Sequence, residues 1–486
     1  MTVVWPESTD DVVVPDTAPS DSIVSPTTST TSTTSTTTTT TEPPYAGWVD
    51  PASSGGPWGS TVEGLLSFRG NPTRTYYGEG PVPEAPQILW KFPDEPMCTY
   101  APIGRVSTWC GTGWTGQPSV WERDGETWVA FGAYSTDVHF LDADDGSRRI
   151  PDFDTAEIIK GSVTVDPDGF PLLYSGSRDN FYRVIAFDGD APRELWKLAA
   201  TDVSPTMWND DWDGSGLVID DHLFIGGENS RIHIVKLNRG YAADGTVTVD
   251  PEIVWHAAGW DDELIAAVGE NVSIENSVAI SGDVLYFANS GGLVQGWDIA
   301  GVDEGVEPTR VFRYWAGDDV DASLVIDEEG MIYVGVEYEK GNARSQEVGQ
   351  VLKLDPSRPD DPLVWGVDQR TGLDSGLWAT PALHEDLVIV ATNQGTVVAL
   401  DRVTGEKRWE MALGGGKLWQ SPVIVDDVLI QGDCSGVLRG FDVSDTSIEP
   451  PLLWSVTIGG CIESTPAVWR GRIIVGTWSG HVYGLG

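Results

Sequence analysis

The chain has 486 residues, 40% of them hydrophobic, enough to build a large core. Its 74 acidic residues against 29 basic ones leave a formal net charge of −45. Such a surface repels nucleic acid and anionic lipid out to the roughly 10 Å at which 0.1 M salt screens it, and no apolar run approaches the roughly 18 residues of a membrane-spanning helix.

Residues 1–44 are read as a disordered stalk. Thr27 to Thr41 holds only Thr and Ser, and Pro6, Pro15, Pro19, Pro26, Pro43 and Pro44 punctuate its surroundings. Nothing there buries enough apolar area to offset the entropy of ordering the chain. Stalks of this type sit between an anchor and an exported domain, yet Met1 to Asp11 has neither a basic n-region nor an apolar h-region. The expectation is an extracytoplasmic protein whose signal or anchor lies upstream of the given start, the alternative being export without a cleavable signal. Residues 45–87 form a lead-in to the fold.

The four cysteines agree with export. Cys98 and Cys110 are 12 apart and Cys434 and Cys461 are 27 apart; of three possible pairings the two local ones are expected, each worth roughly 2–4 kcal/mol in an oxidising compartment. The spacing fits neither a zinc site nor a haem attachment.

From about residue 88 the chain is repetitive. The unit is clearest between Trp378 and Gly416, where four short β-type runs start near Thr380, Leu387, Thr396 and Lys407. Asn393–Gly395 and Arg402–Gly405 supply residues that tolerate positive φ in the turns between them. Short strands at this spacing make an antiparallel four-stranded sheet, and such a sheet needs neighbours of its own kind to bury both faces. An outer-strand aromatic recurs at Trp90, Trp196, Trp255, Trp315, Trp365, Trp409 and Trp454, with Ile150 as the one departure. At ~25 cal/mol/Å² each buried Trp contributes roughly 4–6 kcal/mol of gross burial, so the repeat reads as a packing device between sheets.

Only three strand runs follow Trp454, and Ile88–Phe92 is available as the fourth. Pairing it with the last sheet closes a ring and removes the free edges. The fold class is therefore all-β: an eight-bladed propeller of four-stranded antiparallel blades over residues 88–486, with seven blades if the Ile150 unit is not one.

Units of the form S/T-P-A/V, a short strand, then A-L-D-x-x-T-G-E-x-x-W resemble those of the PQQ-like propellers, the superfamily of quinoprotein alcohol dehydrogenases and of an outer-membrane assembly lipoprotein. The residues that carry it include Thr380-Pro381-Ala382, Ser421-Pro422-Val423, Thr465-Pro466-Ala467 and Ala399-Leu400-Asp401. Ser67 to Thr75 (SFRGNPTRT) is similar to the lead-in before the first strand of many such proteins. The redox members hold PQQ over calcium with an adjacent-cysteine disulfide, a tryptophan floor and an Asp base. This chain has no adjacent cysteines, so PQQ is not expected, and the reading is a non-catalytic member.

Innermost strands face the channel. The residue two before each S/T-P-like start is, in blade order, Thr115, Lys160, Asp213, Glu275, Asp321, Trp378, Trp419 and Glu463. Carboxylates converging from separate blades repel unless a cation or Lys160 compensates, and hard oxygens suit calcium. Asp213, Glu275, Asp321 and Glu463 are thus the candidate metal ligands, with Trp378, Trp419 and Lys160 as the wall of a ligand pocket. None of the six histidines has metal-site spacing. The expected function is binding or scaffolding of a protein, peptide or small ligand at the channel mouth or rim, by a monomer. The alternative is a calcium-dependent quinoprotein oxidoreductase using Asp213, Glu275 or Asp321.

Overall fold

A computed structural model describes residues 45–103, 106–113 and 116–486. The Thr/Ser stretch and Thr115 lie outside the described residues. Eight antiparallel sheets succeed one another along the chain. Blade 1 runs Ser119–Arg123, Glu126–Gly132, Asp137–Asp142, Phe153–Asp154; blade 2 runs Thr164–Val165, Leu172–Gly176, Phe181–Ala186, Arg193–Ala199. Blade 3 starts at Leu217–Ile219, blade 4 at Ala279–Ser281, blade 5 at Val325–Ile326, blade 6 at Ala382–His384 and blade 7 at Val423–Val425. Blade 8 is Ala467–Trp469, Arg472–Thr477 and His481–Leu485, and Ile88–Phe92 completes it by pairing antiparallel with His481–Leu485. The Ile150 unit is a blade, so the count is eight. Among the described residues no helix is long and apolar enough to cross a membrane.

The outer-strand aromatic sits at a fixed register, next to a β-bulge. Trp196 faces Val184, Trp255 faces Ile234, Trp365 faces Lys353, Trp409 faces Ala399, Trp454 faces Gly440 and Trp90 faces Gly484. In blade 4 that place belongs to Phe312, opposite Gly296, rather than to Trp315, which lies three residues further on. In blade 1 the outer strand begins after Ile150, at Phe153. The indole docks on the neighbouring blade. Trp90 Nε1 donates to Ala143 O (2.9 Å) over Gly146, and Trp365 Nε1 donates to Arg402 O (3.2 Å) over Gly405. Both glycines lie at positive φ in the turn after the third strand.

Gly484 leaves room for the ring of Trp90: a Cβ there would lie 2.1 Å from Cε2. Gly484→Ala should therefore destabilise the fold by about 1–3 kcal/mol, the usual cost of overpacking. A shift in denaturant midpoint at unchanged slope would show it; an unshifted midpoint would mean the ring yields freely.

The Ser or Thr at the S/T-P position of each unit, followed by proline at Thr380 and Ser421 but not at Ser215, Ser277 or Ser323, stitches the inner strands together. The amide of Ser215 donates to Ser277 Oγ (2.9 Å), Ser277 to Ser323 Oγ (2.9 Å), Ser323 to Thr380 Oγ1 (3.0 Å) and Thr380 to Ser421 Oγ (3.0 Å). Each hydroxyl satisfies a buried N–H of the preceding blade, and the prolines that follow Thr380 and Ser421 leave these bonds intact.

The lead-in crosses the channel. Gly64–Leu65 pairs with blade 1, Leu66 O accepts from Val165, Pro72 O from Ile280, Thr73 O from Ile326, and Gly78–Glu79 pairs in parallel with blade 8. Arg69 and Arg74 are fully buried. The Arg69 fork donates to Thr380 O (2.7 Å), Pro381 O (2.5 Å) and Pro422 O (2.5 Å), while its amide donates to Gln117 Oε1 (2.8 Å). Arg74 donates to Val278 O (2.8 Å), Ser215 O (2.9 Å), Phe68 O (2.7 Å) and Ser67 Oγ (3.0 Å). One short segment that bonds blades on opposite sides of the ring must lie across its axis, so residues 64–79 fill the channel beyond the S/T-P belt.

Candidate functional site: the open mouth of the channel

One alternation step before the hydroxyl belt, the inner strands present Lys160, Asp213, Glu275, Asp321, Trp378, Trp419 and Glu463. A second set of side chains reaches the same mouth from the turn between the second and third strands of each blade. Its backbone is held in a repeated way: the amide of Arg178 donates to Ile158 O (3.0 Å), Glu228 to Asp211 O (2.9 Å), Ser290 to Ser273 O (2.9 Å), Glu337 to Asp319 O (2.8 Å), Asn393 to Gly376 O (3.0 Å) and Trp478 to Cys461 O (3.0 Å). The turn residue therefore lies beside the inner-strand residue of its own blade.

On the side of blades 2 to 5 the mouth is acidic. Lys160 Nζ lies 2.7 Å from both Asp213 Oδ2 and Glu228 Oε1 and 3.5 Å from Asp211 Oδ2, which also meets Arg178 Nε at 3.0 Å. Glu275 accepts from Ser273 Oγ (2.5 Å) and Ser290 Oγ (3.2 Å), and Ser290 reaches on to Asp321 Oδ1 (3.4 Å). Lys340 pairs with Asp319 at 2.7 Å. These lysines do not neutralise so many carboxylates. Burial, reinforced by the neighbouring carboxylates, pushes Glu275 and Glu337 up to about 8 and Glu339 to about 7. Burial also raises Asp211 to about 6 and lifts Asp213 and Asp321 well above the usual range. Glu228 alone is held low, because the Lys160 ammonium and hydrogen bonds outweigh its burial.

From blade 6 round to blade 1 the mouth is aromatic. Trp378 and Trp419 meet edge to face with ring centres 4.8 Å apart. Trp478 lies 6.3 Å from Trp419 and 6.0 Å from Trp109, which packs on Tyr134 at 5.3 Å. Trp478 Nε1 donates to Glu463 Oε2 (2.5 Å) and Trp378 Nε1 to Asp321 Oδ2 (3.0 Å). Burial raises Glu463 to about 8. Both disulfides frame this side. Cys98–Cys110 closes the hairpin that carries Trp109, and Cys434–Cys461 ties a blade 7 turn to the entry of blade 8.

The family model of the outer membrane protein assembly factor BamB matches residues 347–486. The fold is shared with quinohemoprotein alcohol dehydrogenase from Comamonas testosteroni (12% identity, 87% of this chain and 80% of that one, TM-score 0.55). It is shared too with a europium-containing methanol dehydrogenase (12%, 87% and 98%, TM-score 0.57). This chain is an eight-bladed β-propeller. The computationally designed Ika8 protein also aligns (12%, 77% and 96%, TM-score 0.51). At these identities the likenesses speak for the fold alone. No curated protein matches the sequence.

In this propeller the predicted residues all reach one mouth, but not one point. Asp213 and Glu275 come together with Glu228, each offering an oxygen within 4.8 Å of the others. Asp321 is held by Trp378, and Glu463 by Trp478. The trio is a hard-oxygen set of the kind calcium takes, yet the Lys160 ammonium already bridges Asp213 and Glu228, so a calcium ion would have to displace it. A flat quinone fits poorly: Trp378 and Trp419 stand at 89° to each other and form no common floor, and neither disulfide joins adjacent residues. Glu228, Glu337, Asn393 and Trp478 were missed by sequence reasoning. Their signal was a second register, the turn before each third strand.

Proposed function

We propose that the protein is a binding module acting outside the cytoplasm, and that a positively charged group of a protein, peptide or small molecule enters the channel at its open mouth. The observation that carries this reading is the mismatch in that mouth: buried carboxylates from blades 3, 4, 5 and 8 exceed the ammonium groups beside them, with the lead-in filling the channel behind. A cation brought from outside relieves a repulsion built into the fold. Two disulfides at the rim support an oxidising compartment. The lysine bridge and the crossed indoles argue against a resident calcium–quinone pair.

The test is thermal unfolding of the full chain at pH 8 with tetralysine, with Ca²⁺, and with Ca²⁺ plus PQQ. Tetralysine at about 100 times its Kd should stabilise by about 2.7 kcal/mol, and Glu275→Gln with Asp321→Asn should remove the effect. A shift that needs Ca²⁺ and PQQ together, with alcohol oxidation, would make the protein a dehydrogenase. Tetralysine stabilisation that survives the double substitution would move the site off the mouth.

A further inference from the structure

The mouth is asymmetric, and the asymmetry selects among cations. Between blades 5 and 7 lies a cavity of about 270 Å³ lined by Asp321, Glu337, Glu339, Asn393, Trp378 and Trp419. That is just below the roughly 300 Å³ at which drug-sized pockets begin, so its occupant is small. Asn393 is buried and donates through Nδ2 to Glu337 Oε2 (3.0 Å), while its Oδ1 has no hydrogen-bond partner among the described residues. A buried acceptor of this kind calls for an N–H donor. The opposite wall is indole. Lys417 also lines the cavity and holds its Nζ 4.7 Å from the ring centre of Trp419, so the chain already places an ammonium on one of these faces. A bare divalent ion would use the oxygens and leave the indoles idle, whereas an organic ammonium uses both.

We propose that this cavity binds a primary ammonium compound with a small apolar body, its N–H groups on Asn393 Oδ1 and the carboxylates of Asp321 and Glu337, its body against Trp378 and Trp419. The inference rests on the reading of the mouth as a cation-binding site and names the class of ligand. Metals and plain charge do not satisfy it. The ligand needs charge, N–H donors and an apolar surface together.

The experiment is calorimetric titration of the full chain at pH 8 and 0.15 M NaCl with phenethylammonium, 2-phenylethanol, methylammonium and Ca²⁺. Phenethylammonium should bind at least tenfold more tightly than each of the other three. Trp419→Leu and Glu337→Gln should each weaken it at least tenfold, while Asp445→Asn, on the exposed surface, should not. Equal binding of 2-phenylethanol, or displacement of phenethylammonium by micromolar Ca²⁺, would overturn the proposal. If phenethylammonium fails to bind while tetralysine still raises the unfolding temperature, the ligand class is wrong and the broader reading stands. If neither acts, both fall.

Discussion

Arg74→Met should lower the stability of the fold by at least about 3 kcal/mol, because three carbonyl oxygens, those of Phe68, Ser215 and Val278, lose their donor in a buried interior. Each unsatisfied buried acceptor costs about 1–3 kcal/mol. Burial lowers Arg74 to about 9 and Arg69 to about 10, so both remain charged at neutral pH with no carboxylate among their hydrogen-bond partners. The charge is spread over carbonyl dipoles of separate blades, which only a planar fork can reach at once. Arg74→Lys should accordingly recover little. The denaturant midpoint at unchanged slope reads the effect. A loss below about 1 kcal/mol would mean that water replaces the guanidinium and that the lead-in is not what holds the inner strands.

Acidification from pH 8 to pH 5 should stabilise the protein by at least about 3 kcal/mol. Glu275, Glu337 and Glu463 titrate near 8 in the fold, against about 4.3 in an unfolded chain. Between those values the folded state holds protons that the unfolded state has released, so stability falls as pH rises through the folded values. Each such group contributes a slope of up to about 1.4 kcal/mol per pH unit. Further acidification reverses the sign, because carboxylates held low by arginine, such as Asp261 and Asp401, must then be protonated. Unfolding midpoints across pH 4–9 test this. Glu463→Gln, which removes the mouth carboxylate that burial raises without help from its neighbours, should flatten the slope by about one proton, and Lys160→Met should steepen it. A profile that rises from pH 5 to 8 would show the mouth carboxylates to be hydrated.

The sequence by itself determined the architecture. Turn residues at regular intervals, the recurrent outer-strand Trp and the three-strand remainder after Trp454 imply eight blades and their closure by Ile88–Phe92, because those signals are local and repeat. They also imply a common direction for Lys160, Asp213, Glu275, Asp321, Trp378, Trp419 and Glu463, since register within a repeat fixes which way an inner-strand residue faces. Tertiary structure decided what these residues do to one another. Phe312 takes the place assigned to Trp315 because the bulge in blade 4 sets the register by pairing rather than by sequence count. Glu228 and Glu337 join the mouth through the second turn, a position with no fixed residue type, marked in the sequence only by its place before the third strand. The lysine between Asp213 and Glu228, the crossed indoles and the two arginines across the channel are contacts between residues far apart in the chain, formed only when the blades and the lead-in pack together.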